Sequence, residues 1–166
     1  MNVMREIRVE KVTVNMGCGD DKNRLERSKT LLERLTDKKV VISITRKRTT
    51  FGMARRKPVG CKITLRGKDA DDFLKKTIEA NGKKLSKTIF DKQGNLSFSV
   101  KEHIDIPGVK YDPDIGILGM DICVTLERRG FRVKRKRLSS KIGKSHKIKP
   151  EEAEEWLVKT YGVELV

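Results

Sequence analysis

Residues Lys38–Lys68 read KKVVISITRKRTTFGMARRKPVGCKITLRGK. Eleven of these 31 residues are Lys or Arg, and none is Asp or Glu. Two β-branched apolar runs, Val40–Ile44 and Val59–Leu65, flank a middle that carries Phe51, Gly52, Met53 and six cations without apolar periodicity. That pattern predicts two strands joined by a long basic loop. Loops of such length are functional or disordered. A run of one sign this dense points to a polyanionic partner.

Towards the N-terminus, Ile7, Val9, Val12 and Val14 predict a first strand, irregular between Val9 and Val12 where strict alternation breaks. It ends at Asn15-Met16-Gly17-Cys18-Gly19. The Gly17-x-Gly19 pair lacks both the third glycine of a dinucleotide fingerprint and the Gly-Lys-Ser/Thr of a phosphate-binding loop. It reads as a turn, with amides available to RNA phosphate. Asp20 and Asp21 suit a helix start, and Leu25, Ser28, Leu31, Leu32 and Leu35 give Lys22–Thr36 one apolar stripe.

Towards the C-terminus, Asp69 is expected to open a second helix with Phe73, Leu74, Ile78 and Leu85 on its apolar face, broken near Asn81-Gly82. Leu96, Phe98 and Val100 alternate as a strand, and Ile122, Val124 and Leu126 as another. From Arg128 to Lys149 come eleven more cations and no carboxylate. Apolar residues are sparse there, so the segment is expected to order on its partner. Pro150 at a first helical position, with Glu151, Glu152, Glu154 and Glu155 at the positive end of the dipole, predicts a closing helix anchored by Trp156.

At 166 residues the chain suits one domain, 1–166, and its formal net charge is +16. Such a charge points to nucleic acid before an anionic membrane, since no run of spanning length and no signal peptide is present. Aromatics make up only 5% of residues, which favours backbone and shape recognition of folded RNA over stacking on single strands. The two basic segments hold more than half of the 39 Lys and Arg, whereas an ordinary solvated face mixes its signs. Cys18, Cys61 and Cys123 have no zinc spacing and are expected as three buried, reduced thiols. Asp105, Asp112, Asp114 and Asp121, with His103 nearby, are the best candidates for metal-assisted hydrolysis. Asp112-Pro113-Asp114 has turn chemistry instead, so no enzyme, metal or cofactor is expected.

VTVNMGCG (Val12–Gly19), RTTFGMARRKPVGCKITLRG (Arg48–Gly67), FSVKEHIDIPGVKYDPDIGILGMDICV (Phe98–Val124) and RRGFRVKRKR (Arg128–Arg137) closely resemble the large-subunit ribosomal protein L5 family. IGKSHKIKPEEAEEW (Ile142–Trp156) is similar to its archaeal and eukaryotic branch. The resemblance implies an α+β fold, a mostly antiparallel sheet with two long helices packed on one face. It implies binding of 5S rRNA, attachment of that RNA in the central protuberance, and contact with large-subunit rRNA. Family resemblance also implies a neighbouring 5S-binding ribosomal protein, approach to P-site tRNA, and a bridge to a small-subunit head protein, all on cytoplasmic ribosomes.

Residue by residue, the family's 5S contacts fall on Asn15 and Thr64. The position of a family glutamine holds Lys38, in Thr36-Asp37-Lys38-Lys39, which can keep a phosphate contact but not a two-way amide hydrogen bond. Lys62 and Arg66 join this set as fixed groups at a strand end. The tRNA role falls on Arg46, Lys47, Arg48, Arg55, Arg56 and Lys57. Further rRNA contacts fall on Arg128, Arg129, Arg132, Lys134, Arg135, Lys136 and Arg137. The alternative is a free-standing basic RNA-binding protein, a chaperone or regulator.

Overall fold

The first strand, β1 (Ile7–Gly17), buries every second residue of its later half: Val12, Val14 and Met16 point into the core, while Thr13 and Asn15 between them are half-covered. In its first half no residue is buried and the alternation lapses, at the place where the sequence pattern breaks. The computed structural model describes residues 2–48, 50 and 52–166. Phe51, one of the marks of the basic loop, lies outside the described residues.

Helix α1 (Lys22–Thr36) starts where the Asp21 carboxylate accepts the amides of Asn23 and Arg24, at 2.9 and 3.2 Å. It buries Leu25, Ser28, Leu31 and Leu32 and stops at Asp37, whose left-handed backbone directs its amide to the Glu33 carbonyl. Strands β2 (Val41–Ile44) and β3 (Pro58–Leu65) pair antiparallel, Val41 with Lys62 and Ile42 with Cys61, with a shift between Ser43 and Ile44. Gly60 is required by close strand approach: a Cβ there would stand 2.6 Å from the Met16 carbonyl oxygen.

Helix α2 (Lys68–Ala80) opens one residue earlier than expected. Gly67, at φ +63°, makes the turn without a side-chain cap, and Asp69 and Asp71 occupy the first turn. Leu85, expected on this helix, is not part of it. Gly82 and Lys83, both at positive φ, turn the chain away into β4 (Lys84–Leu85). Strands β5 (Leu96–Val100) and β6 (Met120–Arg128), helix α3 (Pro150–Tyr161) and β7 (Glu164–Leu165) complete the chain, with β7 parallel to β4.

The main sheet has the order β2-β3-β1-β6-β5, and with the packed helices this is the α+β fold implied by the family resemblance. The chain forms two compact units. One comprises Met1–Val12, Leu65–Phe98 and Cys123–Val166, and is built on Phe73, Leu74, Ile78, Leu126 and Leu157. The other comprises Thr13–Thr64 and Ser99–Ile122, and is built on Val14, Leu32, Ile63, Val100 and Ile122.

Of the three thiols expected to be buried, two are. Cys18 bonds Ser28 Oγ at 3.4 Å, and burial first, then the neighbouring Cys18, push the Cys61 thiol up to about 12. Cys123 is exposed, because Ile122 and Val124 on either side of it take the core face of β6.

Candidate nucleic-acid interface

In the second unit the basic loop is closed at its base by one threonine. The Thr45 amide donates to the Lys57 carbonyl and the Arg56 amide to the Thr45 carbonyl, each at 2.9 Å. The Thr45 hydroxyl donates to the Ala54 carbonyl at 2.7 Å and accepts the Lys57 amide at 3.0 Å. This neck holds the ends of the loop together and leaves its cations outside. Arg46, Lys47, Arg48, Arg55 and Arg56 are exposed and have no carboxylate partner among the described residues. Lys57 differs: its ammonium lies 3.1 Å from the Asp20 carboxylate. Both groups are solvated, so this pair is weak and phosphate can exchange for it. Beside the neck lies an open groove of about 670 Å³, lined by Val41, Ile42 and Ile44 and by Arg46, Arg55, Arg56 and Lys62.

On the same unit, Lys62 and Thr64 are exposed on β3, on the face opposite buried Cys61 and Ile63. Asn15 is half-buried on β1, opposite Val14 and Met16. These three residues therefore lie on the polar side of the sheet, held by rigid strands. Lys38 is exposed just after the left-handed turn at Asp37. The amides after Gly17, expected to be available to phosphate, are taken: those of Cys18 and Gly19 both donate to the Val59 carbonyl, at 2.9 and 3.2 Å.

The first unit carries the second basic segment, and there some of the side chains are tied down. Arg128, expected among the RNA-facing cations, is only 4% exposed. Its guanidinium meets the Glu152 carboxylate at 3.0 Å and the Lys147 carbonyl at 3.3 Å. The Lys149 amide foremost, then Arg128, hold the Glu152 carboxyl below its usual range despite partial burial. His146 Nε2 lies 2.8 Å from the Arg129 carbonyl oxygen, and its ring meets Phe131 edge-on with centroids 5.7 Å apart. Ile148 is buried. The segment expected to order only on a partner is thus anchored at several points and forms short 3-10 turns at Phe131–Arg135 and Lys144–His146. Arg132, Lys134, Lys136 and Arg137 are exposed without a carboxylate partner among the described residues, while Arg129 stands 3.9 Å from Glu6.

Two glutamates that sequence reasoning passed over sit among these arginines. Glu127, next to last in β6, takes Arg8 and Arg135, and Glu10 in β1 takes Arg66 and Arg135. The available signal for Glu127 was its place at the end of the alternating β6 pattern, directly before Arg128-Arg129.

The acidic candidates do not assemble. Asp112 pairs with Arg34, whose hydrogen bond and that of the Asp114 amide hold its carboxyl below the usual range. His103 is buried, with Nδ1 accepting the Leu118 amide at 3.3 Å. No group of three His, Cys, Asp or Glu among the described residues could hold a metal ion, and no helix among them is long and apolar enough to cross a membrane.

A basic α+β protein with cations on a neck-closed loop and polar groups on one sheet face has the make-up of a polyanion-binding protein. Comparison with known proteins narrows that class. Residues 2–50 match the profile of ribosomal protein L5, and residues 58–149 match the profile of the C-terminus of the same ribosomal family. The chain is 46% identical to the large ribosomal subunit protein uL5 of Sulfurisphaera tokodaii, over all of this chain and 96% of that one. It is 42% identical to the corresponding protein of Methanobrevibacter smithii, over all of this chain and 99% of the relative. A uL5 of Cenarchaeum symbiosum is also 42% identical, over 98% of each chain. The chain belongs to the ribosomal protein L5 family, which is structural and not enzymatic.

Proposed function

We propose that this protein is a structural constituent of the large ribosomal subunit, on cytoplasmic ribosomes, and that it holds 5S rRNA in the central protuberance. The observation that carries the reading is the polar sheet face of the second unit, where Asn15, Lys62 and Thr64 stand on rigid strands with their buried neighbours turned the other way. A folded RNA is recognised by groups fixed in space that bond sugar and phosphate oxygens, and a strand supplies such groups. Lys38 and Arg66 extend the same set. Membership of the L5 family supports the partner.

The loop 46–57 suits a partner that comes and goes, since among the described residues only Lys57 of its cations meets a carboxylate, in a solvated pair with Asp20, and its neck keeps them presented. We assign it to P-site tRNA. Arg129, Arg132, Lys134, Lys136 and Arg137 are assigned to further rRNA. Arg128 leaves that set, because its buried guanidinium serves Glu152, and so does Arg135, which Glu10 and Glu127 hold. The bridge to a small-subunit head protein and the contact with a neighbouring 5S-binding protein belong to the same proposal.

The test is binding of the purified protein to 5S rRNA at about 150 mM salt against excess unrelated duplex RNA. Retained, saturable binding is expected. Binding that the competitor strips away would leave only a general polyanion surface. Thr64→Val then locates the site: it removes one hydroxyl from an exposed strand position, so affinity should fall about fivefold with the melting temperature unchanged. Unchanged affinity would place the 5S contact elsewhere.

A further inference from the structure

We propose that Glu10 and Glu127 are positioning residues that hold Arg8, Arg66 and Arg135 as a fixed guanidinium array for 5S rRNA phosphates. The inference rests on the 5S reading above, which already includes Arg66. Its basis is a closed set of contacts within the first unit. Arg8 donates through Nε and Nη2 to one oxygen of Glu127, at 2.9 and 2.6 Å. Arg135 donates through Nη2 to the other oxygen of Glu127. The second Arg135 nitrogen, Nη1, lies 3.3 Å from Glu10 Oε1, and Arg66 Nη1 lies 3.6 Å from that same atom. Two carboxylates are thus shared by three guanidiniums.

The burial is lopsided. The Glu127 and Glu10 side chains are 11% and 14% exposed, while those of Arg8, Arg66 and Arg135 are 46–57% exposed. The carboxylates lie inside and the cations outside. Each arginine has five N–H donors in a planar fork, and these contacts use at most two of them. The remaining donors are left for an outside acceptor. The array keeps a net positive charge, because three cations face two anions. A free arginine loses rotamer freedom when it binds phosphate, and one already held loses less. Arg135 is also the last residue of the Phe131–Arg135 turn, so the same contacts set the start of the basic segment against β1 and β6.

Simple charge counting and this inference predict opposite signs. Glu127→Gln removes one negative charge from a chain of net +16. General attraction to RNA should therefore increase. If the carboxylate positions arginines, 5S affinity should instead fall, by about tenfold, and the slope of log K against log salt should shrink by about one to two phosphate contacts.

The experiment titrates full-length wild type, Glu127→Gln and Glu10→Gln with 5S rRNA across a salt series, alongside thermal unfolding. Glu10→Gln serves as the second variant should Glu127→Gln fail to fold. Glu127→Gln is then repeated in an Arg8→Ala/Arg135→Ala background, where no further weakening is expected because the groups it positions are gone. Unchanged or tighter binding by the folded glutamine variants overturns the inference. So does an equal loss in the Arg8→Ala/Arg135→Ala background, which would mark a purely structural role. A wild type that fails to bind 5S rRNA specifically overturns the 5S reading as well, so the two failures are distinguishable.

Discussion

The loop at residues 46–57 and the segment at residues 128–149 are equally basic, with one residue in two a cation and no carboxylate in either. Their cations are nevertheless held in opposite ways. In the loop, backbone and hydroxyl bonds at Thr45 close the neck, and the arginines beyond it carry no ion pair among the described residues. In the segment, glutamates from elsewhere in the chain reach in: Glu152 takes Arg128, and Glu10 and Glu127 take Arg135. Equal charge density therefore does not mean equal availability. What separates the two is how many carboxylates of other elements come within reach among the described residues, Asp20 at Lys57 of the loop against Glu6, Glu10, Glu127 and Glu152 in the segment, and composition alone cannot say so.

The comparison breaks most sharply at Arg128. Arg128→Ala leaves a cavity at a buried site and strips the Lys147 carbonyl and Glu152 of their partner. It should cost about 2–3 kcal/mol in urea unfolding, less than a fully buried pair because Glu152 is partly solvated. Arg132→Ala, exposed in the same segment, should leave stability unchanged. Equal losses would mean that Arg128 is no more an anchor than its neighbours.

On the loop side, replacing Arg55, Arg56 and Lys57 together by Ala should leave the melting temperature and 5S affinity as they are. The salt slope for unrelated RNA should fall by about 2–3 units, and tRNA-dependent steps of translation should slow. Loss of 5S binding would merge the two basic regions into one site.

A smaller effect tests the neck. Thr45→Val removes one donor and one acceptor at the base of the loop and should cost about 0.5–1 kcal/mol, with faster amide exchange at Lys57. Unchanged exchange would mean that the backbone pair alone closes the loop.

The slightest effect is that of acid. The Glu152 carboxyl titrates below its ordinary 4.5 in the folded protein, so it stabilises the fold above pH 4.5. That contribution is lost as pH falls through the lowered folded value. Glu152→Gln should remove this pH dependence from thermal melts between neutral pH and pH 3, and it should persist in an Asp20→Asn variant, which touches only the loop's ion pair.

The sequence by itself determined what is local. Asp21 with the stripe Leu25, Leu31 and Leu32 set the bounds of α1, and the alternation Leu96, Phe98, Val100 set β5, because caps and periodicity act over a few residues. The placement of Asn15, Lys62 and Thr64 on the polar side of the sheet was also legible, since their buried neighbours could be read from the same alternation. Family resemblance, carried by long motifs, supplied the proposed partners. Tertiary structure alone decided the rest. The two-residue pair β4 and β7 is too short to show a period, and Leu85 therefore read as helical. Arg8 and Glu127 lie 119 residues apart, and no local rule joins them. Arg128 looked like one cation among eleven until α3 brought Glu152 against it. A charge's fate depends on which distant groups share its surroundings, and only the folded chain brings those groups together.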